Sequence, residues 1–271
     1  MISSRVSALA LFATLSAFAT VPSGVSTGTT TSRSLLVGIT TGAGEDLVSE
    51  VATIDPTDGT TTKVGSLVLP KGHGRTQSQD LVWSADGKQL LVAQLRFGEK
   101  GNEATSWIDW VSPSKLEVVR SGTKVDGVID SLCWDGQGRL LATHARTRPM
   151  KLVTIDTETG ALTELATLDE KLWIRSLAWR TSGSELWALH MRASEKDSDL
   201  LMRLSPTTGA ALYTVKLELG EIATSLVIDV DGNFLVAGDK DGLFRVDVAT
   251  GKSRRLPKAT GVRFTGLVTG R

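Results

Sequence analysis

The sequence predicts an all-β protein: a five-bladed β-propeller of four-stranded blades, its ring closed by the C-terminal strand completing the first blade. Three observations predict it. Apolar runs led by Leu81, Leu132, Leu177, Leu226 and Leu267 recur 41 to 51 residues apart. Turns running from Asp or Ser to Gly recur out of phase with those runs. No stretch of helical periodicity interrupts the alternation of short apolar runs and turns.

The first thirty or so residues stand outside this pattern. Met1 to Arg5 is a short basic start, Val6 to Phe18 is almost wholly apolar, and Ala17-Phe18-Ala19 supplies the small residues of a cleavage site. These features predict a signal peptide over residues 1–19, hence export to a periplasmic or extracellular location. The apolar run is shorter than the ~20 residues a membrane span requires, so no stable membrane insertion is expected. Residues 20–33 are rich in Ser, Thr and Gly and read as a flexible lead, and the propeller is expected over residues 34–271.

Within the propeller each unit holds the same parts. Leu81-Val82-Trp83 leads through Asp86-Gly87 to Leu90-Leu91-Val92-Ala93. Leu132-Cys133-Trp134 leads through Gly136-Gln137-Gly138 to Leu140-Leu141-Ala142-Thr143. Leu177-Ala178-Trp179 and Leu226-Val227-Ile228 lead through Gly183 and Gly232 in the same way. A second turn joins the third and fourth strands, as in Asp156-Thr157-Glu158-Thr159-Gly160, with counterparts from Asp55, Ser205 and Asp247 and a degenerate copy from Ser112. Asp or Ser there bonds the backbone two residues on, and Gly supplies the positive φ that closes the turn. The first unit, Leu35 to Leu67, lacks its first strand, and Arg263 to Thr269 looks like an orphan first strand. Joining the two closes the ring and removes open sheet edges.

The repeat resembles the WD40-like and YVTN-type bacterial propellers over nearly the whole chain after residue 33. It lacks the Gly-His and Trp-Asp signature of true WD40 repeats. The resemblance implies a fold and leaves function open, because propellers serve as binders, scaffolds and enzymes alike.

Composition excludes several classes. Lys plus Arg and Asp plus Glu are both 30, so the chain is neutral and no nucleic-acid partner is expected. One cysteine, Cys133, excludes an internal disulfide framework, and its apolar setting predicts a buried, inert thiol. No zinc motif, nucleophile turn or phosphate loop is present, and no metal or cofactor is expected. Asp229-Val230-Asp231-Gly232-Asn233 echoes a calcium loop but lacks its bidentate Glu, and reads as an ordinary turn. Trp83, Trp134 and Trp179 share a repeat position and are expected to pack in the core.

Candidate site residues come from aligning the repeats. Gln94, His144 and His190 share one position, and Arg96, Arg146 and Arg192 share the position two later, on the same side of each second strand. They lie near the face of the longer loops, 41–49, 70–77, 97–106, 146–150, 192–199 and 239–242, where function tends to concentrate. Arginine forks and neutral imidazoles suit an anion or acidic sugar, unless the arginines simply pair with acids such as Glu99, Glu103, Glu195 or Asp197. A second ring, Gln79, Asp130, Arg175, Thr224 and Thr265, lies two residues before each leading leucine. It should fall near one mouth of the channel, where Asp130 and Arg175 could bind a ligand or pair with each other.

The expected function is an exported binding module that takes a small anionic or sugar ligand, or a protein partner, through the loop face. The alternative is an enzyme acting on a sugar, lactone or acidic glycan at the same face, with His144 or His190 as general base.

Overall fold

The computed structural model describes residues 35–41, 48–68, 76–97, 104–145, 148–192, 197–240, 242–259 and 263–270. The segments expected to be signal peptide and flexible lead lie outside these, as do Arg146, Glu99, Glu103 and Glu195.

Five four-stranded antiparallel sheets form the five blades. The first contains β1 (Leu36–Thr41), β2 (Ser49–Ile54) and β3 (Thr61–Ser66). The second contains β4 (Thr76–Trp83), β5 (Leu90–Phe97), β6 (Ala104–Val111) and β7 (Val118–Val125). The third contains β8 (Ile129–Trp134), β9 (Leu140–His144), β10 (Lys151–Ile155) and β11 (Leu162–Thr167). The fourth contains β12 (Ile174–Arg180), β13 (Glu185–His190), β14 (Leu200–Leu204) and β15 (Ala211–Lys216). The fifth contains β16 (Ala223–Ile228), β17 (Phe234–Gly238), β18 (Leu243–Val246) and β19 (Ser253–Arg255). The last strand, β20 (Phe264–Thr269), pairs with β1 and completes the first blade. The predicted closure is therefore present, and β20, β4, β8, β12 and β16 neighbour one another around the ring.

The core is not one mass but five apolar layers, one between each pair of adjacent blades. Alternation along the strands explains this: in β5, Leu91 and Ala93 pack toward the third blade while Leu90 and Val92 pack toward the first. The closing junction is built like the others, with Leu36 and Ile54 of the first blade against Leu235 and Leu243 of the fifth, and Phe264 and Leu267 between them.

The third-to-fourth-strand turns follow the chemistry that predicted them. Asp156 Oδ1 accepts the N–H groups of Glu158 and Thr159, both at 2.9 Å, and Gly160 N–H returns to the Asp156 carbonyl at 2.8 Å. In the degenerate copy Leu116 takes the glycine's place, at φ 55, and is buried against the first blade. The glycine also permits close approach. Gly251 sits at φ 74, and a Cβ there would collide with the Lys216 carbonyl of the preceding blade. Gly251→Ala is expected to destabilise by more than about 1 kcal/mol, because both the conformation and the space reject a methyl group. Urea unfolding checks this.

Asp229 accepts from the backbone of Asp231 and Asn233 and from the Asn233 side chain, as an ordinary turn requires. No group of acids, histidines and cysteine fit to hold a metal occurs among the described residues. None of their helices is long and apolar enough to cross a membrane.

Candidate functional site

Each innermost strand runs from the loop face to the face of the short turns. Near its start, every one of the five carries a register shift against its neighbour. The residue skipped is Gln79, Asp130, Arg175, Thr224 or Thr265, so the predicted ring is a ring of β-bulges. Arg175 Nη1 donates to Gln79 Oε1 at 3.0 Å and to Asp130 Oδ1 at 3.1 Å, joining the second, third and fourth blades across the channel. Burial raises the Asp130 carboxyl above its ordinary range, with the Arg175 charge opposing. Thr224 donates to the carbonyl of Phe264 at 2.8 Å, and Thr265 to that of Ile39 at 3.2 Å. At this end the polar side chains mostly serve one another.

One residue further on, a second set stitches the blades together. Leu132 N–H donates to Asp80 Oδ2 at 2.9 Å, Leu177 N–H to Ser131 Oγ at 2.7 Å, and Leu226 N–H to Ser176 Oγ at 3.0 Å. The Ser131 hydroxyl in turn donates to Asp80 Oδ2 at 2.8 Å. The equivalent residue of the first blade is Gly266, with no side chain to offer, and a Cβ there would stand 2.6 Å from Asp80 Oδ1. That oxygen accepts the N–H of Leu81, the next residue in its own strand, at 2.9 Å. Burial pushes the Asp80 carboxyl up to about 7 despite these donors.

Of the His and Arg set on the second strands, Arg96, His144, His190 and Arg192 are among the described residues, and each makes local contacts. Arg96 is buried, and its Nη2 lies 2.8 and 2.7 Å from the two oxygens of fully buried Asp109. Its guanidinium lies 4.3 Å from the centroid of the Trp107 ring. Arg192 N–H donates to Asp199 Oδ1 at 2.8 Å, and its Nε is 3.9 Å from Asp199 Oδ2. The pairing acids are thus Asp109 and Asp199, on third strands or just before them. Spacing alone does not reveal them, because they lie 13 and 7 residues downstream.

His144 Nε2 donates to the Asp126 carbonyl at 2.8 Å. His190 Nδ1 accepts Trp173 N–H at 2.9 Å, which requires a neutral ring with its proton on Nε2. Burial also lowers the pKa of His190. Both imidazoles therefore tie their strand to the segment leading into the innermost strand of the same blade. In the fifth blade Gly238 holds this position, and a Cβ there would collide with the buried Glu221 carboxylate. Gln94, the second blade's version, is 1% exposed, and neither its amide oxygen nor its nitrogen has a partner.

The cavity lies at the other end of the channel, on the turn face. It measures about 380 Å³. Its rim takes one residue from the end of each innermost strand: Trp83, Trp134, Trp179, Ile228 and Thr269. Leu132, Leu177, Leu226 and Leu267 lie below them. Four residues separate the rim from the bulge ring, roughly 13 Å of strand. The tryptophans are half-buried and overlap from blade to blade. Trp83 Nε1 donates to the Thr269 carbonyl at 2.7 Å, and Trp134 Nε1 to the Trp83 carbonyl at 2.6 Å. Cys133 also lines the cavity wall, its thiol held protonated by burial and by the nearby Asp80 and Asp135 carboxylates.

The sequence directs functional expectation to the loop face and places these tryptophans in the core. The repeat did contain a signal for the cavity: a large aromatic at one repeat position in three consecutive blades, two residues after each leading leucine.

No protein-family model matches the chain, and neither does any curated protein. Among solved structures, a candidate 6-phosphogluconolactonase from Bacteroides fragilis aligns with TM-score 0.50 and 12% identity, over 90% of this chain and all 100% of that one. A protein of unknown function from Bacteroides thetaiotaomicron gives TM-score 0.49 and 14% identity, covering 86% of this chain. TolB from Acinetobacter baumannii gives 0.47 and 16%, covering 82%. The alignments span 63% of the second protein and 52% of TolB. The first of these likenesses agrees with the propeller fold and shows nothing finer.

Proposed function

We propose that this chain is an exported propeller of the WD40-like, YVTN-type kind that binds a small ligand in the tryptophan-rimmed mouth of its channel. One observation carries the reading. All five blades converge on a single cavity of about 380 Å³, the size of a small-molecule site. Export is supported by the basic start, apolar run and Ala17-Phe18-Ala19 of the N-terminus.

The reading moves the ligand away from the loop face on physical grounds. Arg96, which already holds the buried Asp109 carboxylate, has little left for an incoming anion. Catalysis at that face loses a base as well, since the lone pair of His190 Nδ1 already accepts a backbone N–H. An enzymatic role there would rest on His144, through Nδ1.

Thr181 is exposed and lines the cavity, so a bulky side chain there obstructs the mouth without entering a core layer. A thermal-shift panel of neutral, anionic and cationic small molecules should yield stabilisers of the wild-type protein, and Thr181→Trp should abolish their effect while leaving the unliganded melting temperature within about 2 °C. Stabilisation that survives Thr181→Trp but disappears in Arg192→Gln would return the site to the loop face.

A further inference from the structure

We infer that the loop-face mouth of the channel holds a second binding site, in which Arg175 takes a small, singly charged carboxylate on its Nε/Nη2 edge. This site lies at the opposite end of the channel from the cavity and does not rest on it.

The donors come first. A β-bulge re-aims the side chain it carries. Here it sends Arg175 of the fourth blade across to Gln79 and Asp130 of the second and third. Pairing with them uses one nitrogen only, because both bonds come from Nη1. The remaining donors, Nε and Nη2, make no hydrogen bond to the described residues. They are not sealed from water either, unlike the Nε groups of Arg203 and Arg245. The Arg175 side chain is 17% exposed. Nε–H and Nη2–H are the two parallel donors with which an arginine grips a carboxylate side-on. Gln79 and Asp130 hold the far side of the guanidinium and so fix the direction in which this edge faces.

The charge of the ring then limits the anion. Asp130 lies beside the guanidinium and offsets part of its charge. Thr224 and Thr265 give their hydroxyl protons to backbone carbonyls and add no charge. Asp80, the other acid that feels the Arg175 charge, is buried and accepts from Leu81, Ser131 and Leu132. The ring thus has one cation and no second one to receive a second negative charge. Sulfate or a phosphate dianion would set that charge against Asp130. A planar carboxylate of single charge fits both the fork and the balance. A partly solvated ion pair is weak, so the affinity is millimolar and leaves melting temperatures at micromolar ligand unchanged.

The test is NMR on the full-length ¹⁵N-labelled protein after export, titrated with acetate and lactate at constant ionic strength, with sulfate as the dianionic counterpart. The Arg175 Nε–H signal, assigned by its absence from Arg175→Lys, should shift saturably with both carboxylates and less with sulfate. Arg175→Lys keeps the charge and loses the fork. Its affinity should fall at least fivefold, read from the backbone N–H signals of Thr224 and Thr265. Asp130→Asn keeps an oxygen for Nη1 and removes the opposing charge, so it should bind at least as tightly as the wild type. Thr181→Trp should leave carboxylate binding intact. An unmoved Arg175 Nε–H signal, equal affinity in Arg175→Lys, or lost binding in Asp130→Asn would overturn the inference. Tighter binding of sulfate would overturn the choice of a singly charged carboxylate. Carboxylate binding blocked by Thr181→Trp would overturn this site and assign the anion to the cavity.

Discussion

Asp80→Asn should abolish most of a pH dependence that the wild-type protein shows between about pH 4 and pH 7. Asp80 has a folded pKa of about 7 against an ordinary 3.8. Between those values the native state holds a proton that the unfolded chain releases, so stability falls as pH rises and the contribution is fully lost above pH 7. A shift of that size corresponds to roughly 4 kcal/mol at about 1.4 kcal/mol per pH unit. Asn carries no titrating proton, so the slope over this range should be much shallower, with the raised Asp130 carboxyl contributing to what remains. At pH 5 the wild type keeps the stability that comes with that proton and the variant does not, so the variant's deficit should be larger at pH 5 than at pH 8. Urea unfolding at half-unit pH steps checks both statements. Equal slopes for the two proteins would mean that Asp80 is not the source of the pH dependence.

The second large effect concerns the ion pair of Arg96 and Asp109. Asp109 is fully buried and Arg96 nearly so, and the Gly122 N–H adds a donor to Asp109 Oδ1 at 2.9 Å. Removing one partner strands the other's charge, so Asp109→Ala or Arg96→Met alone should cost about 3–5 kcal/mol. The double variant Arg96→Met with Asp109→Leu should recover most of that loss, because an apolar pair avoids the desolvation altogether. A double-mutant cycle by denaturant unfolding measures the coupling. Single variants that each cost under about 1 kcal/mol would show the pair to be solvated, and would reopen the loop face as an anion site.

The fold was legible in the sequence because a propeller writes its architecture once per blade. Period-two alternation, leading leucines and Asp-to-Gly turns each recur, and the unmatched first strand at Phe264 exposed the closure. Gln79, Asp130, Arg175, Thr224 and Thr265 could be aligned because they keep their distance from the leucines, but that each is a β-bulge was not legible. What resisted reading was partner choice. Arg96 and Arg192 are aligned by the repeat, but Asp109 and Asp199 are not, and only folding brings the acids to them. The sequence draws attention to the loop face for a related reason. Long irregular loops attract functional expectation, whereas the cavity is built from strand ends that look like core in a one-dimensional pattern.

The most direct measurement uses the seven tryptophans as reporters of both faces. With ¹⁵N-labelled indoles, the Nε1–H signals would be followed while a ligand from the stabiliser panel is titrated. The cavity reading predicts that Trp83, Trp134 and Trp179 shift, while Trp107 beneath Arg96 and Trp173 beneath Arg148 stay in place. Movement of Trp107 or Trp173 with a silent turn-face ring would contradict it and place the ligand at the loop face.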